Sequence, residues 1–514
     1  MTLQEVFHQW RTELKTADRS VQRNIGTKFE EICKLFLLHD SAYRDIYETV
    51  ETIADWSSRR GLPKSDLGTD LVARVKSADQ YVAIQCKFHR EGHKLSKRDI
   101  NSFLADTSRK FFCQRILIDS TGVSLTSNVQ NTLLHQDPPV VRIGLHDLLN
   151  SDIDWDQFLT DKEIQTAEPK DPWDHQKEAI AKVVSGLSEK GSRGKMVMAC
   201  GTGKTFTSLR IAEELVGKGG RVLYLVPSLS LMSQTIREWT KDSRIPLRYY
   251  AVCSDHQVVN RGKRQDDKID ISVLDMPYPA NTDPSNLSSR LGYDVPSQMT
   301  VVFATYQSVE VVKQAQKEYE LPDFDLAIMD EAHRTAGDRN RMKKSDEKDS
   351  EFIKIHEQDN IRSDRRLYMT ATPKVYSKSA RQRASKEDIV LYSMEDEDIF
   401  GPVLYEIGFG SAVEQELLSD YKVIVLEIPS DVVAEEASMI MEKHDISLDE
   451  AGKLTGCYRA IAKIDRREFG DDTNPMRRVI AYCRKISISQ KVTEVFPDLV
   501  KEYNERQESP KTGK

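Results

Sequence analysis

The sequence predicts an α/β protein of several domains. Beyond residue 172, short apolar runs of strand length alternate with helix-forming stretches, the pattern of a parallel sheet flanked by helices. The chain has 514 residues, so two to four domains are expected. Hydrophobic residues make up 39% and charged residues 30%, a balance that favours a folded chain over a disordered one.

The first 160 residues read as an α/β unit. Within VQRNIGTKFEEICKLFLL (21–38), Ile25, Phe29, Ile32, Cys33 and Phe36 recur at helical spacing. Two strands follow, TDLVARV (69–75) and YVAIQCKF (81–88), joined by the turn-like KSADQ. A helix over 97–110 and the strand RILID (115–119) come next. The polar, acidic stretch 151–174 reads as a linker, narrowest at 161–171. Strands are then expected at KMVMAC (195–200), RVLYLVP (221–227), MTVVFAT (299–305), FDLAIMD (324–330) and RLYMTAT (366–372). A further set begins at YKVIVLEI (421–428) and includes RRVIAYC (477–483). The stretch 254–298 shows no clear period and reads as an irregular insertion.

Composition narrows the function classes. No apolar run approaches the length needed to cross a bilayer, and MTLQEVFHQWRTELK lacks a secretory apolar core, so a cytoplasmic protein without a membrane partner is expected. The seven cysteines form no CxxC pair, which speaks against a zinc site and a disulfide framework and fits a reducing compartment. Net charge is −8. That sets only the far field, and a local basic groove can still neutralise phosphates.

Two constellations carry chemistry. In MACGTGKT (198–205), a strand leads through glycines into the helix TFTSLRIAEEL, with Met198 where such loops usually begin with glycine. Gly201, Thr202 and Gly203 provide backbone N–H groups that can surround phosphates at a helix N-terminus. Lys204 reaches the β/γ-phosphates and Thr205 ligates Mg²⁺, so ATP with Mg²⁺ is the expected cofactor. Asp330-Glu331-Ala332-His333 ends an apolar strand, where Asp330 can partner the Mg²⁺ and Glu331 can polarise the attacking water. Thr370 and Thr372 end the next strand, a place suited to sensing the nucleotide. The second constellation is the hairpin at 69–88. Asp70 opens one strand, and Gln85 and Lys87 share a face of the other. Phosphodiester hydrolysis needs a metal and a nearby cation, which Asp70, Gln85, the Cys86 carbonyl and Lys87 can supply, with Asp66 and Glu30 approaching the same face. Taken alone, Asp and Lys on an edge hairpin are more often simply solvated residues.

These motifs resemble two families. The P-loop, DEAH and Thr-Ala-Thr segments are similar to those of superfamily-2 helicases, whose RecA-like lobes close on ATP. Gln176 in WDHQKEAI resembles their adenine-reading glutamine, and His333 belongs to their nucleotide-site motif. VPSLSLMSQT (226–235) and ATYQSV (304–309) resemble segments whose hydroxyls hold a nucleic-acid backbone. The Asp70…Gln85-x-Lys87 arrangement, with GTKFE upstream, resembles the Mrr-like branch of PD-(D/E)xK nucleases. Its Gln in place of Glu lowers the charge of the site.

From about residue 20 to 490 the chain resembles the N-terminal portion of Type ISP restriction–modification enzymes, through GTDLVA, AIQCKF, RIGLHDLL, IDWDQF, VVFATYQS, DEAHRT, RLYMTATP and GFGSAVEQELLSDYKV. The resemblance implies a PD-(D/E)xK nuclease-like domain (1–160), a linker (161–171), a first RecA-like lobe (172–412) and an incomplete second lobe (413–514). It implies double-stranded DNA as the partner of an ATP-driven translocase that cuts foreign DNA. No NPPY-like or SAM-binding motif is found, so a methyltransferase and target-recognition module is expected in cis or in trans. No QxxGRxxR-like segment follows RVIAYCRK, which leads to the expectation of ATP binding with poor hydrolysis. The basic runs 339–344 and 379–386 are further candidate DNA contacts. A helicase without nuclease activity, an RNA helicase and an inactive fragment are the rival readings.

Overall fold

The computed structural model describes residues 2–61, 68–76, 79–108, 111–134, 136–253, 282–292, 294–338, 355–376, 391–421, 441–444, 446–464, 474–483 and 486–508. Asp66, the strand expected at 421–428 and both basic runs lie outside them, apart from Tyr421 itself.

The N-terminal region forms a five-stranded mixed sheet in the order β1 (Tyr47–Thr52), β2 (Leu71–Val75), β3 (Tyr81–Lys87), β4 (Phe112–Asp119) and β5 (Val140–Ile143). The first three strands run antiparallel, and β3, β4 and β5 run parallel. Strand alternation sorts side chains into two cores. Val82, Ile84, Ile116 and Ile118 meet helices α1 (Leu3–Glu13) and α2 (Arg19–His39). Ala83 and Leu117 meet Trp56 of α3 (Ile53–Arg59), Ile100 and Phe103 of α4 (Lys97–Asp106), and Val129 of α5 (Ser127–Leu134). The five apolar residues expected to line one face of α2 are all buried.

Helix α6 (Leu145–Leu149) follows β5, and α7 (Trp155–Asp161) occupies part of the stretch read as linker. That reading is corrected for 155–161, because Trp155 and Phe158 are buried in the first of these cores. Four acidic residues in 151–161 mask an apolar stripe of only two aromatics, too little for its period to stand out.

From residue 172 the chain builds a seven-stranded, wholly parallel sheet. Its strands are β6 (Arg193–Met198), β7 (Arg221–Val226), β8 (Leu247–Val252), β9 (Met299–Thr305), β10 (Leu326–Met329), β12 (Arg366–Thr370) and β14 (Val403–Ile407), arranged β14-β6-β12-β10-β7-β9-β8. A separate short ladder pairs β11 (Gly337–Asp338) with β13 (Leu391–Tyr392). Helices α8 (Asp174–Gly186), α9 (Lys204–Leu215) and α10 (Leu229–Asp242) cover one face together with Trp239 and Leu209, while Val309, Val312 and Phe324 cover the other. Within the stretch read as irregular, Pro284–Leu291 is a helix capped by Asp283.

These two sheets belong to one compact unit that ends at Leu418. Ile46 packs against both cores, and the Tyr249 hydroxyl of β8 donates to the Ala42 carbonyl at 2.7 Å. Beside this seam lies a buried acid, Asp40, whose neighbours are Asp152 and Arg237. Burial, then Asp152, push the Asp40 carboxyl up to about 7, against the Ala42 N–H and Arg237, which pull it down. The folded protein therefore holds this proton well above the ordinary aspartate value of 3.8. The stabilisation is complete below that value and is lost as pH rises through about 7. Asp40→Asn mimics the protonated acid, so its Tm advantage over wild type is expected to grow between pH 5 and pH 7. A pH-independent difference between the two melting curves would refute the shared-proton account.

The second unit begins at Ser419. In it, helix Leu448–Ala462 packs Leu454 and Tyr458 against Val495, Leu499 and Tyr503 of helix Ile486–Glu508. The strand expected at 477–483 is corrected. This segment is irregular, and Ile480 and Tyr482 are exposed. A strand is stabilised by pairing, and among the described residues from 419 onward there is no strand beside it.

Candidate functional site

The hairpin places its polar residues at the end of β3. The Asp70 carboxylate accepts the Cys86 N–H at 2.7 Å, which fixes it against the strand that carries Gln85 and Lys87. Cys86 itself lies in register with Ile118. Gln85 is buried, and its amide donates to the Gly68 carbonyl at 3.0 Å. Gly68 has φ +59°, and a Cβ there would lie 3.0 Å from the Phe103 backbone nitrogen, so no side chain fits. The other end of the amide, Gln85 Oε1, is buried without a hydrogen-bond partner. Burying such an acceptor costs about 1–3 kcal/mol unless something binds it. Glu30 of α2 joins the group from the side, since burial and then Asp70 raise its carboxyl above the ordinary range. Glu30 and Asp70 lie within electrostatic reach of each other, and Gln85 Oε1 is an orphaned buried oxygen on the adjoining strand; these are oxygen ligands of the type a hard divalent cation takes. Among the described residues, no cluster of three His, Cys, Asp or Glu is spaced to hold a metal.

One feature escaped the sequence reading. The rings of His89 and His93 stack at 4.3 Å just beyond Lys87. Burial lowers the His89 pKa, and His93 and Lys87 lower it further. Their four-residue spacing falls in a loop, where no helical period draws attention to it.

In the second sheet, β6 ends at Met198 and the loop turns back over it. Gly201 and Gly203 have φ of +88° and +86°. A Cβ on Gly203 would lie 2.3 Å from Gln176 Nε2. Gly203→Ala is therefore expected to displace both the loop and Gln176, weakening nucleotide affinity by about tenfold, the equivalent of 1.4 kcal/mol. Titration with a fluorescent nucleotide checks this, and wild-type affinity would count against it. Lys204 Nζ donates to the Met198 carbonyl at 3.2 Å. Thr202 is buried, with its hydroxyl on the Ala199 carbonyl, and Thr205 is the second residue of α9, after Lys204. Gln176 is brought to this loop, where its amide donates to the Thr202 carbonyl at 3.2 Å and accepts the Trp173 N–H. His175, missed in the sequence although adjacent to Gln176, meets the same carbonyl at 3.0 Å.

Facing the loop, Asp330 ends β10. Burial, then Glu331, push its carboxyl up to about 6, whereas the Glu331 N–H and Lys204 hold it down. Glu331 adopts φ +51°, a strained conformation for a non-glycine residue and one concentrated at functional sites. His333 Nδ1 lies 3.0 Å from the Thr370 hydroxyl, which also accepts the Thr372 N–H. The structure thus assembles Gln176, Lys204, Asp330, Glu331, His333, Thr370 and Thr372 at one end of the sheet. It does not leave Thr305 and Ser308 free for a nucleic-acid backbone. Their hydroxyls bond each other at 2.7 Å and are buried, and Ser228 caps α10, so these residues shape loops.

Residues 38–165 match the family described as restriction endonuclease, and 170–375 match the family described as Type III restriction enzyme, res subunit. Over 94% of the chain the fold matches the ATP-dependent Type ISP restriction–modification enzyme LlaBIII bound to DNA, with a TM-score of 0.78 and 34% identity. This is the nuclease–helicase arrangement of the Type ISP enzymes. Like them, the chain joins an N-terminal segment of the restriction-endonuclease family to a RecA-like lobe of the res-subunit family, two hydrolase-type domains. It is also similar to the Type I restriction enzyme EcoAI endonuclease subunit of Escherichia coli, 23% identical over 64% of this chain. A probable helicase of African swine fever virus is 28% identical over 50% of it. The chain spans 31% of the Type ISP enzyme's length, 34% of the Escherichia coli subunit and 24% of the viral protein. Among the described residues, no helix is long and apolar enough to cross a membrane.

Proposed function

We propose that the chain works in ATP-dependent DNA restriction, with a Mg²⁺-dependent endonuclease site at Asp70, Gln85 and Lys87 and a motor driven by ATP at Lys204 and Asp330. The observation that carries this reading is the buried, unpartnered Gln85 Oε1 on the strand whose Cys86 N–H holds Asp70, with Glu30 in electrostatic reach of Asp70, all within one compact unit that also holds an assembled P-loop.

In the nuclease, Asp70, Glu30 and Gln85 Oε1 would hold the cation. The metal would supply charge neutralisation and an activated water at the scissile phosphate. Lys87, two residues beyond Gln85 on the same face, orients that water and meets the developing negative charge. Glycine 68 and the Cys86 N–H keep Gln85 and Asp70 aimed without further rearrangement. In the motor, Gly201, Thr202 and Gly203 cradle the phosphates and Lys204 balances their charge. Thr205 and Asp330 would share the Mg²⁺, and Glu331 would polarise water. His333, hydrogen-bonded to Thr370, relays the state of that site to the end of β12. Gln176 couples the adenine side of the pocket to the Thr202 carbonyl.

The substrate is double-stranded DNA, in keeping with the DNA-bound Type ISP relative. Site recognition and modification fall to a methyltransferase and target-recognition module in cis or in trans. We assign residues 1–160 to the nuclease, 172–412 to the first motor lobe and 413–514 to the start of the second, in a cytoplasmic protein.

Plasmid cleavage with Mg²⁺, with and without ATP, tests the whole reading by comparing wild type, Lys87→Ala and Lys204→Ala. Nicking that disappears in Lys87→Ala supports the nuclease. Equal nicking by wild type and Lys87→Ala would overturn it and leave a helicase without a cutting role.

A further inference from the structure

Helix α10 touches three things at once. Its first residue follows Ser228, at the end of β7. On one side, Trp239 is fully buried and its indole N–H donates to the Thr205 carbonyl at 3.2 Å, on the first turn of the P-loop helix α9. The end of α10 is clasped to the same helix: Arg210 donates to the Asp242 carbonyl at 2.8 Å, and Glu213 accepts the Arg244 N–H at 2.6 Å. The Trp239 and Arg210 bonds are half-buried and buried, so α10 cannot shift against α9 without breaking them. Arg237 lies two residues before Trp239, about 200° around the helix, and so points away from α9. Its guanidinium crosses to the nuclease and pairs with Asp147 of α6, with Tyr43 and Asp40 as further electrostatic neighbours.

From Asp147 the contacts continue inward. Its other carboxylate oxygen accepts the Gly144 N–H at 2.8 Å, at the end of β5. Two residues earlier on β5, Arg142 makes a two-pronged pair with the fully buried Asp119 of β4, at 2.7 and 3.2 Å. Asp119 lies in register with Lys87 of β3. Four polar contacts and the β3–β4 pairing therefore lead from the P-loop helix to the lysine of the nuclease, and none crosses the linker at 161–171.

We propose that α10 transmits the nucleotide state of the motor to the nuclease, with Arg237 as the residue that couples the two. Arg237 touches neither substrate nor nucleotide in this account. It is a positioning residue whose pairing with Asp147 sets β5, and through the Arg142–Asp119 pair sets the end of β3. Other contacts across the seam, from the Tyr249 hydroxyl to Ala42 and from the Leu247 N–H to Asp45, reach the edge strand β8 and not the P-loop helix. They hold the nuclease in place while Arg237 is the contact that feels α9. The inference rests on the P-loop being the nucleotide site.

Hydrogen exchange followed by mass spectrometry tests it on the full chain, with Mg²⁺ and a slowly hydrolysed ATP analogue. In wild type, nucleotide is expected to slow exchange across 201–210 and also to change exchange across 112–121 and 140–150. In Arg237→Met, which keeps the length of the stem, the first response is expected to remain and the second to disappear. Arg237→Lys keeps the charge and should retain the distant response. A purely structural Arg237 would alter the exchange rates of the apo protein but leave the nucleotide-induced difference intact, which would overturn the proposal. P-loop protection in wild type with no response at 112–121 and 140–150 would overturn it without recourse to any variant. If wild type shows no P-loop protection at all, the nucleotide-site reading falls, and the coupling with it.

Discussion

Lys204→Ala is expected to bind ATP about 10- to 10²-fold more weakly than wild type while melting at the same temperature. The ammonium rests on the Met198 carbonyl and lies within electrostatic reach of Asp330, so it is already aimed across the loop before nucleotide arrives. A charge-assisted hydrogen bond to phosphate contributes about 1.5–3 kcal/mol, and every 1.4 kcal/mol is tenfold in affinity. Loss of the cation also leaves Asp330 and Glu331 facing the phosphates with less compensation. Removing Lys204 takes away a group that holds the Asp330 carboxyl down, so that acid should titrate higher still and ligate Mg²⁺ less readily at neutral pH. Titration of a fluorescent ATP analogue, paired with a thermal melt, reads both quantities. Unchanged affinity would mean that MACGTGKT is a glycine-rich turn and nothing more.

The second large effect is expected in the nuclease. Lys87→Ala and Asp70→Asn should each lower Mg²⁺-dependent plasmid nicking by roughly 10³-fold, the scale on which removing a preorganised stabilising group acts. The two should differ in how they respond to metal. Asp70→Asn removes a charged ligand, so raising the Mg²⁺ concentration should recover part of the loss, whereas Lys87→Ala should not respond. Gln85 is a subtler case. Exchanging its amide for a carboxylate adds negative charge to the donor set but removes the N–H that holds the Gly68 carbonyl, and it sets two oxygens against each other in a buried place. The glutamine is thus matched to this backbone and is not simply a weakened glutamate. Nicking that survives in both Lys87→Ala and Asp70→Asn would move the catalytic centre elsewhere.

Much of this was legible because its signals are local. Five apolar residues at helical spacing mark α2, and apolar runs ending in glycine or aspartate mark β6 and β10 with the motifs that follow them. Gln85 and Lys87 share a face by the two-residue period of a strand, and the structure keeps them there. What could not be read depends on distant partners. Helix α7 is defined by two aromatics entering a core that reaches back to α1 and α2 at the start of the chain. The stretch 477–483 has strand composition yet stays irregular, since composition cannot supply a neighbouring strand. Thr305 and Ser308 read as phosphate contacts, but the loop turns their hydroxyls onto each other. The pairing of Arg237 with Asp147 spans 90 residues, and no period in either helix announces it.

Ile46 has a consequence for how the molecule can be taken apart. A single side chain that fills gaps in two cores makes each core part of the other's boundary. A nuclease released by cutting at 161–171 would keep its sheet but expose Ile46, lose the hydroxyl that caps the Ala42 carbonyl, and leave Asp147 without its cation. A motor released in the same way would present Tyr249 and Arg237 to water. The short acidic stretch between the domains is therefore a covalent connection and not a seam of weakness, and modular exchange of either half would have to bring its own side of the join.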